Sequence, residues 1–385
     1  MRVFAASTSI GGHANPSRIG VRSVERVPFH FVSVPPYRGN GLGRLRNILA
    51  FNRRVPAALF EAARTTGEKP DLIIGSSPQP FAWPAVVAAA RSMGSAFIPE
   101  VRDLWPESLL QLSGLAPWHP MVMWSRYAER IALDSAVALM SPLAGIAEAM
   151  RGRCRSTLHC LVVPNGVSLD GEAVPSLEPD LAALIDEATS QGRRVLLYAG
   201  AMGIPNALDQ FIEALELLPA EWRERISVLM VGDGTERERL QLRACEARLP
   251  MHFAGQRTQE QVRALCRACD AGFVGWLDRP LYRFGTASQK RALMLGEGLP
   301  LVHATSGGHS DEQAAGTGWT ARAGDAKGIE EAIRSFLSTS PAQFLSLRAA
   351  CEEHARLHLD WDRIAGRAWN DLLAIVRHRP RGCGA

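Results

Sequence analysis

Four stretches in the second half of the chain share one chemistry. They are Val195-Leu-Leu-Tyr-Ala-Gly-Ala-Met-Gly203, Val228 to Gly234, His252-Phe-Ala-Gly255, and the run from Phe284-Gly285 through Lys290 to Gly298 and Pro300. Two are hydrophobic strands that end in glycine, so backbone N–H groups and helix starts face whatever lies beyond the strand ends. The last adds a lysine to that polar arc. Unpaired amides and the positive end of a helix dipole, with no side chain in the way, suit a diphosphate. A phosphorylated ligand is therefore expected. Competing motifs are absent: neither GxxxxGK[ST] nor GxGxxG occurs, and the pair His354 and His358 lacks the glutamate of HExxH and reads as surface histidines.

These stretches need a scaffold. Short β-rich runs alternate with helical segments at Asp71 to Ser76, Ala96 to Val101, Ala136 to Met140, Leu161 to Val163, Arg194 to Ala199, Ser227 to Val231, Gly272 to Val274 and Leu299 to His303. Continuous apolar strands separated by helices mean a parallel sheet covered on both faces. Asn206 to Leu218 has apolar residues at helical spacing: Ala207, Leu208, Phe211, Ile212, Leu215 and Leu218. With 385 residues the chain is long enough for two domains. Pro164-Asn-Gly-Val167 enforces a turn where two alternating blocks meet. The expected architecture is α/β, with two doubly wound, Rossmann-like domains over 1–166 and 167–360 and an interdomain cleft lined by loops at the strand carboxyl ends. A helix over about 361–378 is expected to return to the first domain, with 379–385 as a disordered tail.

Composition limits the function classes. Apolar residues at 46% and charged ones at 21% are globular values. Residues 1 to 110 hold 13 Lys or Arg against 7 Asp or Glu, so they carry +6 and the remainder −2 of the net +4. That asymmetry suggests an anionic surface as partner of the first lobe, and no nucleic-acid motif accompanies it. The longest uncharged apolar run, around Pro80 to Ala90, is too short to cross a bilayer, and Met1 to Ser9 reads as a strand without signal-peptide features. Seven scattered cysteines fit reduced cytoplasmic thiols, and Cys266 and Cys269 fit a buried helix better than a metal or redox site.

Blocks along most of the chain then resemble a known family. They are Val34-Pro-Pro-Tyr37, Arg44 to Phe51, Ser76-Ser-Pro78, Glu100-Val-Arg-Asp-Leu-Trp-Pro-Glu-Ser108, Pro164-Asn-Gly-Val167, Tyr198-Ala-Gly200 with Asn206-Ala-Leu208, Gly232-Asp-Gly234, and Phe284-Gly285 to Pro300. In order and spacing the set resembles the family 4 glycosyltransferases of the two-domain B type, and within them the bacterial cell-surface polysaccharide enzymes. The resemblance implies transfer of a sugar from a nucleotide diphosphate donor with retention of configuration, to a lipid-linked or glycan acceptor, without a required metal or other cofactor. It places the donor on the second domain. Lys290, one of very few lysines, would neutralise the leaving diphosphate, a charge that grows in the transition state. Gly200 and Gly203 would let the loop approach the phosphates, with Asn206 starting the next helix. Gly234, Gly285 and Gln289 complete the donor set, and Gly255 with Gln256 would hold the base. Asp103, flanked by Arg102, Trp105 and Glu107, would deprotonate or bind the acceptor; capping of the helix from Pro106 competes for the same carboxylate.

The basic run Arg44 to Arg54 places Leu45, Ile48 and Leu49 on one helical stripe beside Arg44, Arg46, Arg53 and Arg54. Contact with the inner face of an anionic membrane and a core-facing helix with a charged edge are both open. Departures from the family pattern are specific. Met1 to Ser9 matches the family's second strand, so the opening strand, glycine-rich loop and first helix are missing and the first domain is expected to be incomplete. The two family glutamates that contact sugar and ribose are Gly285 and Leu293, the family's Ser-x-Asn-Lys reads Ala287-Ser-Gln-Lys290, and its usual Arg and Lys after the Tyr198 strand are Ala201 and, nearby, Asn206. A non-catalytic truncated homologue or partner subunit, and a nucleotide-sugar epimerase of the same two-domain type, are the alternatives.

Overall fold

The computed structural model describes residues 1–8, 15, 17–18, 20–39, 41–77, 80–154, 158–169 and 176–378. The tail 379–385, and Ser9 and Pro78 of the quoted motifs, lie outside the described residues. The chain divides into two compact units, one of 1–141, 150–162 and 370–385, the other of 142–149 and 163–369.

In the first unit, β1 (Val3–Ala6), β2 (Gly20–Val24) and β3 (Val27–Val32) form a sheet in the order β1-β3-β2, with β1 parallel and β2 antiparallel to β3. A separate, all-parallel sheet runs β4-β5-β6-β7, from Leu72–Ser76, Ala96–Glu100, Leu139–Ser141 and Cys160–Val162. The described strands of this unit thus make two sheets where the sequence suggests a single parallel one. The helices Trp83–Met93 and Pro120–Ser135 bury Val87, Ala90, Ala128 and Ala132, alongside the buried β5 residues Phe97 and Ile98. The Trp83 indole N–H donates to the Gly75 carbonyl at 2.8 Å, fixing that helix to β4.

The second unit holds β8 (Arg194–Ala199), β9 (Ile226–Val231), β10 (Met251–Gly255), β11 (Ala271–Gly275), β12 (Leu301–Thr305) and β13 (Gly318–Arg322) in one six-stranded parallel sheet of order β10-β9-β8-β11-β12-β13. Its central strands β8, β9, β11 and β12 are largely apolar and buried because both faces are covered. Phe211, Ile212, Phe273, Ile333 and Phe336 belong to one core cluster, and Leu181, Leu197, Leu265, Met294 and Leu359 to another. The chain winds outward first through β9 and β10 and then through β11 to β13, so the order reverses between β8 and β11. Ligands of doubly wound sheets bind at the carboxyl ends beside such a reversal.

The division departs from the expected boundary in three segments. Residues 142–149 group with the second unit, because the Gly145 N–H donates to the Phe284 carbonyl at 2.8 Å and Arg283 pairs with Glu148 at 3.1 Å. The Pro-Asn-Gly turn also lies in that unit: Asn165 donates to the Ala287 carbonyl at 3.1 Å, and Val167 N–H to Leu359 at 2.7 Å. The last helix, Trp361–Arg377, starts in the second unit and groups with the first from Asn370. No helix of the described residues is long and apolar enough to cross a membrane.

Candidate functional site

A cavity of about 450 Å³ opens at the carboxyl ends of three neighbouring strands of the second unit. Ala199, Gly200 and Ala201 line it from β8, Val231, Gly232 and Asp233 from β9, and Gln256 and Arg257 from β10. Gln259 and Val262 of the helix Gln259–Ala268 and Gln289, Lys290, Leu293 and Met294 of the helix Gln289–Gly296 close the other side. The second helix starts at Ser288, whose hydroxyl accepts the Arg291 N–H at 3.2 Å, so Lys290 sits in the first turn at the positive dipole end.

The Lys290 ammonium donates to the Asn206 side-chain carbonyl at 2.6 Å and lies 4.8 Å from the Tyr198 ring centre and 5.1 Å from that of Trp276. Among the described residues no carboxylate pairs with it. Desolvation pulls its pKa down to about 7, because two ring faces and one amide oxygen replace water less well than a counter-ion would. A cation held this way is suited to an anionic ligand. The neighbouring Arg291 is turned away and buried, contacting the His354 ring at 3.1 Å. His354 is therefore half-buried packing rather than a surface histidine, and desolvation holds it neutral, down to about 4.

Gly200, Gln256, Gln289 and Lys290, four of the expected donor residues, line this cavity together. Gly203, Asn206, Gly234, Gly255 and Gly285 are not among its lining residues. Asn206 does not start the next helix. It ends a short 3-10 turn, Ile204–Asn206, and the helix begins at Leu208 after Ala207 takes a left-handed φ of 52°. Its amide instead bridges the Ala201 carbonyl, at 2.9 Å, and Lys290. Gly203 is extended and only precedes that turn. Gly234 and Gly232 serve loop packing: a Cβ on Gly234 would lie 2.3 Å from the Met202 carbonyl oxygen, and one on Gly232 2.0 Å from that of Gly200. The Gly255 carbonyl accepts the Gly232 N–H at 2.8 Å, and Gly285 closes the turn Pro280–Phe284.

The glycines supply room rather than donors. Gly200 N–H is spent on the Val231 carbonyl at 2.9 Å, and the Gln289 side chain donates to Gly166 at 2.9 Å. Among the described residues, the backbone amides of Ala201, Gln289 and Lys290 at this cavity are left without partners. Arg257, which sequence reasoning missed, reaches the cavity from β10 while pairing with Glu178 and Asp180. Its only sequence signal was its place after Gly255 and Gln256. Among the described residues no three His, Cys, Asp or Glu side chains gather as a metal-binding group, and Cys266 and Cys269 are buried, free thiols.

The fold and this site can be set beside known proteins. Residues 1–166 match the model of the glycosyl transferase 4-like domain, and residues 184–277 that of the glycosyl transferases group 1. The chain is a glycosyltransferase of family 4. Solved structures with the same two-domain fold include sucrose-phosphate synthase from Thermosynechococcus elongatus, with 16% identity, 94% of this chain and 87% of that chain covered, and a TM-score of 0.72. HepE of Anabaena in complex with UDP and glucose is similar at 16% identity, with 97% and 100% covered and a TM-score of 0.66. WaaG, a glycosyltransferase involved in lipopolysaccharide biosynthesis, is similar at 17% identity, with 88% and 86% covered and a TM-score of 0.62. No curated protein matches the chain.

In the first unit of this glycosyltransferase, Asp103 lies on the exposed loop after β5 and does not cap the following helix, Glu107–Gln111, whose first-turn amides receive no side-chain cap. Although Asp103 is exposed, the protein packed around it partly desolvates its carboxyl and pushes it up, against the opposing pull of Arg102. Its expected neighbours are committed elsewhere. Glu107 pairs with Arg153, which also donates to Glu129 at 3.2 Å, and Trp105 packs edge-on against Phe81 at 5.7 Å. The helix Leu42–Thr66 buries Ile48, Val55 and Leu59 but exposes Leu49, so the stripe of Leu45, Ile48 and Leu49 is split between core and solvent. Arg44 is half-buried, and the exposed Arg54 and Arg64 are tied to the Ser33 carbonyl at 2.6 Å and to Glu61, leaving Arg46 and Arg53 as the exposed cations of this helix with no bonded partner among the described residues.

Proposed function

We propose that the chain transfers a sugar, with retention, from a nucleotide diphosphate donor in the second-unit cavity to a lipid-linked or glycan acceptor in cell-surface polysaccharide assembly. The observation that carries this is Lys290, a desolvated ammonium without a counter-ion at the start of a helix, beside unpartnered amides at the mouth of a parallel sheet. Charge accumulates on the leaving diphosphate as the glycosidic bond breaks, and a cation already in place stabilises that state more than the ground state. Asp103 receives or orients the acceptor hydroxyl, and a carboxyl with a raised pKa is a fitting proton acceptor. HepE, bound to UDP and glucose, and WaaG, involved in lipopolysaccharide biosynthesis, support the donor class and the cell-surface role. The exposed Leu42, Arg46, Leu49, Arg53 and Phe60 support a membrane-presented acceptor and a cytoplasmic, membrane-facing location.

The test is turnover across a panel of nucleotide sugars and acceptors. One donor is expected to be consumed only with acceptor present, and Lys290→Ala to lower the rate by about 100-fold or more. Donor conversion without acceptor would make the chain an epimerase, and no saturable binding of any nucleoside diphosphate would leave it a non-catalytic homologue.

A further inference from the structure

The cavity is polar at both ends, and the buried part of its wall between them is apolar. At the β8 end stands Lys290, with the free amides of Ala201, Gln289 and Lys290, and at the β10 end Gln256 and Arg257. Neighbouring strands are about 4.8 Å apart, so β8 and β10 are separated by about 10 Å. That is room for one pentose between a diphosphate and a base. The wall opposite β9 over this interval comes from the exposed Gln259, from Val262 and, one helical turn beyond Lys290, from the buried Leu293 and Met294. Leu293 is 8% exposed and has no atom that can accept a hydrogen bond.

One carboxylate lines the cavity, Asp233. Its Oδ1 already accepts the Gly234 N–H at 2.8 Å and faces Arg237 at 3.9 Å, and its side chain is 50% exposed, so its second oxygen is open to solvent rather than a buried acceptor.

We infer that this cavity receives the pentose of its nucleotide against the Leu293 wall without hydrogen-bonding the ribose hydroxyls, so that deoxyribonucleoside diphosphates, thymidine-type donors among them, are ligands on a par with ribonucleoside ones. The inference rests on the donor-site reading above. A site built to bond a hydroxyl strongly rejects the analogue that lacks it, because its own buried acceptor is left unpaired; an apolar wall has no such acceptor to strand. A hydroxyl pressed on that wall loses its water instead, which favours the deoxy form.

Calorimetry with UDP, 2′-deoxy-UDP and 3′-deoxy-UDP, and with the matching adenine, guanine and cytosine sets, tests this on the whole chain. The deoxy forms are expected to bind within about threefold of the ribose form or more tightly. A loss of about tenfold or more on removing either hydroxyl, the size of one hydrogen bond to a charged group, overturns the inference while leaving the donor site standing. Absence of binding by every diphosphate overturns both. Leu293→Gln adds an acceptor and is expected to create a preference for UDP over its deoxy forms, read as a ratio within one protein preparation. A ratio unchanged from the parent chain places Leu293 away from the pentose and overturns the assignment.

Discussion

Lys290 is asked to do two opposed things, to stay charged and to sit away from water. Its pKa of about 7 reflects that conflict, since desolvation acts on the ammonium and the rings of Tyr198 and Trp276 return only part of the lost hydration. A bound diphosphate supplies the missing counter-charge, so the site protonates on binding. The sign of the pH dependence follows. Below about pH 7 the free site is already an ammonium and affinity for a nucleotide sugar, whose diphosphate stays fully ionised, is flat. Above it, each pH unit is expected to weaken binding by up to about tenfold, as the proton must be taken up with the ligand. Titrations between pH 6 and 9 read this directly. A flat profile across that range would mean that the lysine does not meet the phosphates. Asn206 was legible as a residue of the site but not in its role, since the 3-10 turn and the left-handed Ala207 that aim its amide at a lysine 84 positions away leave no periodic trace.

Among the elements, four strands of the six-stranded sheet were readable because burial on both faces forces unbroken apolar runs; β8, β9, β11 and β12 all coincide with such runs. Half-exposed β13 offers no such run. The β2-β3 hairpin was hidden for a different reason: Gly20–Val24 is exposed throughout, and the turn is made by Glu25 and Arg26 at φ of 47° and 66°, without glycine or asparagine. The carboxylate cluster of the first unit was equally unreadable, because it joins the helices Glu107–Gln111 and Pro120–Ser135 to Arg153 across long separations. Two carboxylates share one arginine there, and burial, opposed by Arg153 and reinforced by Glu107, pushes Glu129 up to about 7. A folded-state pKa above the unfolded one gives stability that is complete below pH 4.5 and lost as pH rises toward 7. Glu129→Gln keeps an oxygen for Arg153 and removes the titration. It is expected to stabilise the protein at pH 8, by up to about 3 kcal/mol, and to leave it little changed at pH 4. Denaturant unfolding at the two pH values checks this, and equal shifts at both would assign the effect to packing instead of charge.

At the scale of the whole molecule the two units differ: the cavity belongs to the second, and the surplus of +6 belongs to residues 1 to 110, all in the first. On the helix Leu42–Thr66, residues 42 and 60 are five full turns apart, and Arg46, Leu49 and Arg53 fall between them within an arc of about 60°. Leu42 is 75%, Leu49 50% and Phe60 43% exposed, so apolar and cationic groups share one solvent-facing stripe whose opposite side is core. Such a face combines insertion of side chains at the headgroup boundary with attraction to anionic lipid, and either contribution alone is weak. Cosedimentation is expected with vesicles containing phosphatidylglycerol and not with pure phosphatidylcholine, and to fall as salt shortens the Debye length. With each basic residue worth about 1 kcal/mol at such a surface, Arg46→Glu with Arg53→Glu should weaken partitioning by at least about 30-fold, while the circular dichroism melt stays in place. Binding that survives the double charge reversal, or that is equal on neutral vesicles, would leave the positive first 110 residues to a soluble anionic acceptor.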